Sequence, residues 1–295
     1  MRLRCRGSRP TLLRVTEAIQ EARLHDPQTL YRNWEAEQWS PFAIDLSADG
    51  EQWQSMEAEE RALVLWALSS LMVAEERITT KFGGLVLAHA SEEEATFLAT
   101  QQVDEARHMQ FYARFRDEVI ADQDAIGAHV TAARQLLSPA FATIFDGALV
   151  RAHDRLLAAP RDAGAKVEFV TTYHLVIEGM LGLTAFRFIT RYLEGADLLP
   201  GFVAGYSKIH HDEHRHIGYG TWFLREAVRE DPTLADRVRR TLRDLLPAVA
   251  DALAPPDRAG TDWDALGASA GEIREFALRG LARRLAVVGV PLSSL

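Results

Sequence analysis

Two short stretches of this sequence carry residue types that can do metal chemistry at helical spacing. Glu105-Ala106-Arg107-His108 is a Glu-x-x-His pair, and Glu213-His214-Arg215-His216 repeats it. On a helix, positions i and i+3 share a face, so each carboxylate and imidazole can grip one ion. The preceding residue repeats too: Asp104 before Glu105, Asp212 before Glu213. Each pair also has a glutamate upstream inside an apolar run. Glu75 lies in Leu71-Met72-Val73-Ala74-Glu75-Glu76, and Glu178 in Leu175-Val176-Ile177-Glu178-Gly179-Met180-Leu181. Glu75 keeps helical phase with Leu68, Leu71 and Met72 and is preferred to Glu76, which is expected to face solvent or a neighbouring helix. Four inward glutamates and two histidines from four helices are the donor set of a dimetal carboxylate site in a helical bundle. Hard oxygen donors with imidazole suit iron and manganese. Four carboxylates at bundle depth would be very costly without cations beside them.

These residues need long helices to position them. Gly and Pro cluster at segment ends, strand signals are nearly absent, and apolar residues recur at helical spacing. The pattern predicts helices at roughly 58–88, 92–121, 127–157, 164–194, 200–229 and 232–253, with a last one near 270–287. Ser91 with Glu94 forms a capping box at the second of these. The first 50 residues read as irregular apart from a short helix near 11–24, and Pro255-Pro256 with Gly260 marks a linker. The expected architecture is all-α, one bundle domain over 1–295, with 255–295 as linker plus C-terminal helix.

Composition bounds the rest. Over 295 residues, 33 Lys+Arg against 42 Asp+Glu give a net charge of −9, which argues against nucleic acid as a partner, since binding its phosphates needs a basic surface. Cys5 is the only cysteine, which excludes a disulfide scaffold. No apolar run reads as a membrane span, and no signal-peptide core follows the basic N-terminus. The expectation is a cytoplasmic protein.

At Trp39-Ser40-Pro41, Ile44-Asp45-Leu46-Ser47, Glu75-x-x-Ile78, Asp104-Glu105-x-x-His108, Glu178-Gly179-Met180-Leu181 and Asp212-Glu213-x-x-His216, the sequence resembles the ribonucleotide reductase small-subunit group of ferritin-like proteins. Within that group it is most similar to the ligand-binding oxidases. The resemblance covers roughly residues 34–250. It implies Glu75, Glu105, His108, Glu178, Glu213 and His216 as the six metal ligands, the set that spacing also gives. It implies an Fe/Fe or Mn/Fe cofactor, Asp212 as the acid behind His108, and Trp39 at the outer end of that network. Tyr173 matches a tyrosine that the oxidases link to a valine, a position that is Ile78 here. Tyr112, four residues after His108, matches the radical-bearing tyrosine of the reductase. Gly182 and Phe186 stand where the reductase has two phenylalanines against its cluster, so Gly182 can open a cavity. The stretch 283–295 lacks the relay tyrosine of the reductase tail.

The implied function is O2 activation and two-electron oxidation of a bound, largely apolar small molecule, in a homodimer with an unspecified electron donor. Three alternatives stay open: a reductase-type subunit with a stable Tyr112 radical, a dimetal N-oxygenase, and non-catalytic iron binding. His174, His210, His211 and His214 are expected in supporting or surface roles, and Arg107 and Arg215 in structural ion pairs.

Overall fold

The computed structural model describes residues 24–120, 138–253 and 267–295. Every regular element among them is helical. The elements are α1 (Pro27–Ala36), α2 (Ser47–Ser55), α3 (Ala58–Lys81, followed by a short turn of helix at Gly83–Leu87) and α4 (Glu92–Phe115, widening into a π-turn at Arg116–Ile120). There follow α5 (139–158), α6 (Ala163–Gly195), α7 (Pro200–Glu230), α8 (Leu234–Ala252) and α9 (Ala270–Val288). Residues 11–23 of the expected helix at 11–24, residues 127–137 of that at 127–157, and the Pro255-Pro256 linker lie outside the described residues.

The N-terminal expectation needs correcting: residues 27–36 and 47–55 are helical, not irregular. Asp26 caps α1 by accepting the Thr29 amide at 2.7 Å, and Pro27 fills the first turn, where no amide is needed. Polar residues dominate both helices; α1 carries only a short apolar stripe of Pro27, Leu30, Tyr31 and Trp34, and α2 has none to speak of. Tertiary packing of α1 on α4 and α7, and of α2 on α7, holds them.

Helices α3, α4, α6 and α7 form the bundle, with α4 packed on α3 and α7 and α6 packed on α7, α8 and α9. Two large apolar cores result, with a small third cluster of Phe188, Ala268 and Ile273. On α4, Phe97 and Leu98 belong to the first core and Phe111, Tyr112 and Phe115 to the second. On α7, Phe202, Tyr206 and Ile209 belong to the second core, Tyr219 and Leu224 to the first. Asp104, Glu105 and His108 on α4, and Asp212, Glu213 and His216 on α7, fall between the two. The charged residues therefore sit at mid-depth with an apolar plug on either side. By length and composition helix α6 could cross a membrane, but 72% of its apolar window is buried among the other helices, as in a core helix.

The start of α7 shows how the N-terminal segment supports the site helices. Leu199, in the left-handed region at φ 49°, has no capping side chain. Asp49 of α2 does that work instead, accepting the Gly201 amide at 2.7 Å and the Phe202 amide at 2.6 Å while fully buried. Asp49→Ala leaves two buried amides without a partner and is expected to cost about 2 kcal/mol in a urea melt.

Candidate metal centre

The six residues singled out from spacing converge on one buried point. The Nδ1 of His108 lies 3.8 Å from Glu75 Oε1, 3.5 Å from Glu105 Oε2 and 3.7 Å from Glu213 Oε1. The Nδ1 of His216 lies 3.5 Å from Glu105 Oε1, 3.4 Å from Glu178 Oε1 and 3.9 Å from Glu213 Oε2. Two donor groups follow, Glu75/Glu105/His108/Glu213 and Glu105/Glu178/His216, each compact enough to hold one cation. Glu105 sends one oxygen to each side, and so does Glu213. Glu76 is absent from both groups; its side chain is 34% exposed and faces Arg77.

The donor atoms fit two cations. Each of the six residues keeps one buried atom without a hydrogen-bond partner among the described residues: Glu75 Oε2, Glu105 Oε2, His108 Nδ1, Glu178 Oε2, Glu213 Oε2 and His216 Nδ1. Leaving such groups bare in a dry interior is expensive, and two divalent ions would satisfy all of them. Burial pushes the acids up: Glu75 to about 8, Glu178 to about 7 and Glu213 well above its usual range, with the neighbouring carboxylates adding to the rise. Burial works against the charged imidazoles, yet the facing carboxylates of Asp212, Glu105 and Glu75 hold His108 well above 6.5, and those of Asp104, Glu178 and Glu105 do the same for His216.

Both histidines are oriented from behind in matching fashion. His108 Nε2 meets Asp212 Oδ2 at 3.2 Å, and His216 Nε2 meets Asp104 Oδ2 at 3.2 Å. A carboxylate at Nε2 fixes the proton there and turns the Nδ1 lone pair to the site. Each acid is in turn gripped by an indole: Trp39 Nε1 donates to Asp212 Oδ2 at 2.8 Å, and Trp34 Nε1 to Asp104 Oδ1 at 2.8 Å. Arg215 bridges the two halves, pairing with Asp212 and donating to Asp104 Oδ2 at 3.3 Å and Glu37 Oε2 at 2.9 Å. Arg107 donates to Asp104 Oδ1 at 2.9 Å. Despite burial, which raises it, Asp212 is held well below the usual carboxylate range by His108, Arg215 and Trp39.

Sequence reasoning named one arm, Trp39–Asp212–His108, and missed the other, Trp34–Asp104–His216. The duplicated Asp-Glu-x-x-His was the available signal for it. Asp104→Asn is expected to weaken one of the two ions by roughly 10–100-fold, and Asp212→Asn the other, in a two-site anaerobic Mn2+ titration.

The tyrosines divide. Tyr173 is fully buried and donates to Glu105 Oε1 at 2.6 Å. It reaches that side because residues Thr171–Gly182 of α6 form a π-helix, in which i and i+5 come onto one face. Tyr173 and Glu178 are five apart, a spacing that would point them away from each other in an ordinary α-helix. Ile78 is buried in the same apolar core as Tyr173. Tyr112 packs against Phe111 and Phe202, and no hydrogen bond joins its hydroxyl to a ligand carboxylate among the described residues. Burial raises its hydroxyl well above 10, with Tyr206 and the site carboxylates adding to this.

The remaining histidines stay outside the donor groups. His174 is buried, its Nε2 3.3 Å from Gln101 Oε1, while Gln101 Nε2 donates to Glu178 Oε1 at 3.2 Å. His210 stacks on Phe186 at 3.4 Å, His214 bonds the His210 carbonyl, and His211 pairs with Glu37 at 2.8 Å. Phe186 thus covers His210.

A sequence profile described as "Ribonucleotide reductase, small chain" matches residues 19–251. The chain belongs to the ribonucleotide reductase small-chain family. Among solved structures it is similar to variants of an R2-like ligand-binding oxidase with aerobically reconstituted Mn/Fe cofactor. One has TM-score 0.79 and 24% identity, covering 89% of this chain and 93% of that one. Another has TM-score 0.78 and 24% identity, covering 89% of this chain and 97% of that one. At this identity the likeness shows that this member of the small-chain family has their all-α, ferritin-like fold.

Proposed function

We propose that this chain is an O2-dependent dimetal oxidase that oxidises a bound, largely apolar small molecule. The observation that carries the reading is the pair of donor groups sharing Glu105, every member of which keeps a buried atom without a hydrogen-bond partner among the described residues. Glu75, Glu105, His108 and Glu213 would hold one ion, and Glu105, Glu178 and His216 the other, as Fe/Fe or Mn/Fe. The Mn/Fe cofactor of the similar ligand-binding oxidases supports that choice. When bound, such a pair supplies O2 activation and two-electron oxidation.

The protein's own contribution is position and dryness. Asp104 and Asp212 hold the imidazole protons at Nε2, so the Nδ1 atoms face the ions. The Tyr173 hydroxyl fixes one oxygen of Glu105. The rings of Phe82 and Phe169, 5.3 and 5.7 Å from that of Tyr173, keep water from this end of the site. Gly182 leaves room: a Cβ built on it would meet only the Ile177 carbonyl oxygen, at 3.5 Å. In this reading the organic ligand lies on that side of α6, one helical turn beyond Glu178. The hydrogen bond of Tyr173 to a ligand carboxylate, with none from Tyr112 among the described residues, favours the oxidase over a radical subunit.

The test is an O2 pulse onto the anaerobically Fe(II)-loaded protein, with mass spectrometry of the extracted ligand before and after. O2 uptake with loss of two hydrogens or gain of one oxygen is the expected result. O2 uptake with an unchanged ligand and a stable Tyr112 radical would contradict it. Gly182→Phe should keep both metals but lower ligand turnover by roughly tenfold or more, the effect of about 1.4 kcal/mol of lost binding.

A further inference from the structure

A second group of buried polar side chains lies away from the metal centre, in the first core. Glu94 and Lys166 are 3% and 5% exposed, and Tyr219 is fully buried. The Tyr219 hydroxyl donates to Glu94 Oε1 at 2.5 Å, and Lys166 Nζ donates to the same oxygen at 2.7 Å. The other oxygen accepts the Ala90 amide, while Ser91 caps the Glu94 amide at 3.2 Å. The Ser91–Glu94 capping box is therefore only half made: Glu94 is drawn inward to a tyrosine and a lysine. A buried ion pair is seldom more stabilising than apolar residues of the same volume, so stability alone does not account for this group.

The rings around Tyr219 suggest what does. His174 stands between it and Tyr173, with centroids 4.8 Å from Tyr173 and 5.4 Å from Tyr219. Tyr173 in turn bonds the shared ligand Glu105. On the far side Trp222, half-buried, lies 6.1 Å from Tyr219 and carries the line towards the surface. The route depends on Gly220, since a Cβ there would fall 2.3 Å from that of His174. Without a side chain at 220, the imidazole sits against α7 in line with Tyr219.

We propose that Tyr219 is a redox-active residue that gives one electron to the oxidised dimetal cluster through His174 and Tyr173, with Glu94 taking its proton. The inference rests on the oxidase reading, which supplies the O2-oxidised cluster as oxidant. The step balances. The Tyr219 O–H bond breaks, the proton forms an O–H bond on Glu94, the electron reduces the cluster by one, and Tyr219 becomes a neutral radical. A tyrosine in a dry core can lose an electron only if its proton leaves with it, because a buried radical cation would be an unpaired charge. The acceptor oxygen at 2.5 Å meets that need. The positive charge left over stays on Lys166, whose ammonium sits 4.7 Å over the Phe223 ring.

Freeze-quench spin resonance after an O2 pulse tests this, on full-length Fe(II)-loaded protein grown with ring-deuterated tyrosine. O2 uptake is recorded alongside. A transient tyrosyl signal is expected that persists in Tyr112→Phe and falls at least tenfold in Tyr219→Phe. Glu94→Gln, which keeps a hydrogen-bonding oxygen but cannot store the proton as a carboxylate does, should lower it similarly. It provides a second variant should Tyr219→Phe fold poorly. O2 uptake with no tyrosyl signal, or with a signal unchanged in both variants, overturns the proposal and leaves the oxidase reading intact. No O2 uptake in wild type sinks the oxidase reading, and the relay falls with it for want of an oxidant.

Discussion

Glu105→Ala abolishes binding at both positions of the centre. Glu105 is the one ligand common to the two donor groups, with Oε2 3.5 Å from His108 Nδ1 and Oε1 3.5 Å from His216 Nδ1. Removing only a partner behind a ligand already costs 10–100-fold in metal affinity. Loss of a shared ligand should exceed roughly 100-fold for each ion. Elemental analysis after anaerobic loading and desalting should fall from two ions per chain to nearly none. Glu75→Ala, whose oxygens serve one group only, should lose one ion and keep the other. Equal loss in both variants would mean that the two positions are not separable as the geometry has them.

Metal loading should also raise the melting temperature by roughly 10 °C. Each ion at about 100 times its Kd adds ~2.7 kcal/mol, and a chain of this size gains about 2 °C per kcal/mol. The sign of the pH dependence follows from the acids. Glu75 and Glu178 are raised to about 8 and about 7 against 4.5, so the folded apoprotein holds protons there that the unfolded chain has released. Raised acids of this kind make apoprotein stability fall as pH rises from about 4.5 to about 8. Cations must displace the same protons, so apparent metal affinity climbs over pH 6–8 and then levels. The gap between apo and metal-loaded melting curves therefore widens from pH 6 to pH 8. Scanning calorimetry at both pH values checks it, and a gap that narrows would contradict the assignment.

What could be read in advance was what helix geometry encodes. The i, i+3 spacing of Glu105 with His108 and of Glu213 with His216 needs only an α-helix, and apolar neighbours were enough to turn Glu75 and Glu178 inward. The choice of Glu75 over Glu76 rested on helical phase, and the structure buries the first and exposes the second in part. Features set by distant contacts were not legible. Trp34 reaches Asp104 across 70 positions and Asp49 caps α7 across 152, and neither leaves a periodic trace. Helices α1 and α2 went unseen because they are short and polar, although Asp26-Pro27 was a usable start signal. The π-helical stretch that brings Tyr173 beside Glu105 has no signature in residue spacing; it is the site that makes sense of it. Glu94 looked like an ordinary capping glutamate, and only the fold shows it reaching Tyr219 and Lys166 instead.

The most direct test of the dimetal assignment is anomalous diffraction from crystals of the protein loaded with iron and manganese. Two peaks are expected: one ligated by Glu75, His108 and Glu213, the other by Glu178 and His216, with Glu105 common to both. A single peak, or peaks only at the exposed His210–His214 face, would contradict it.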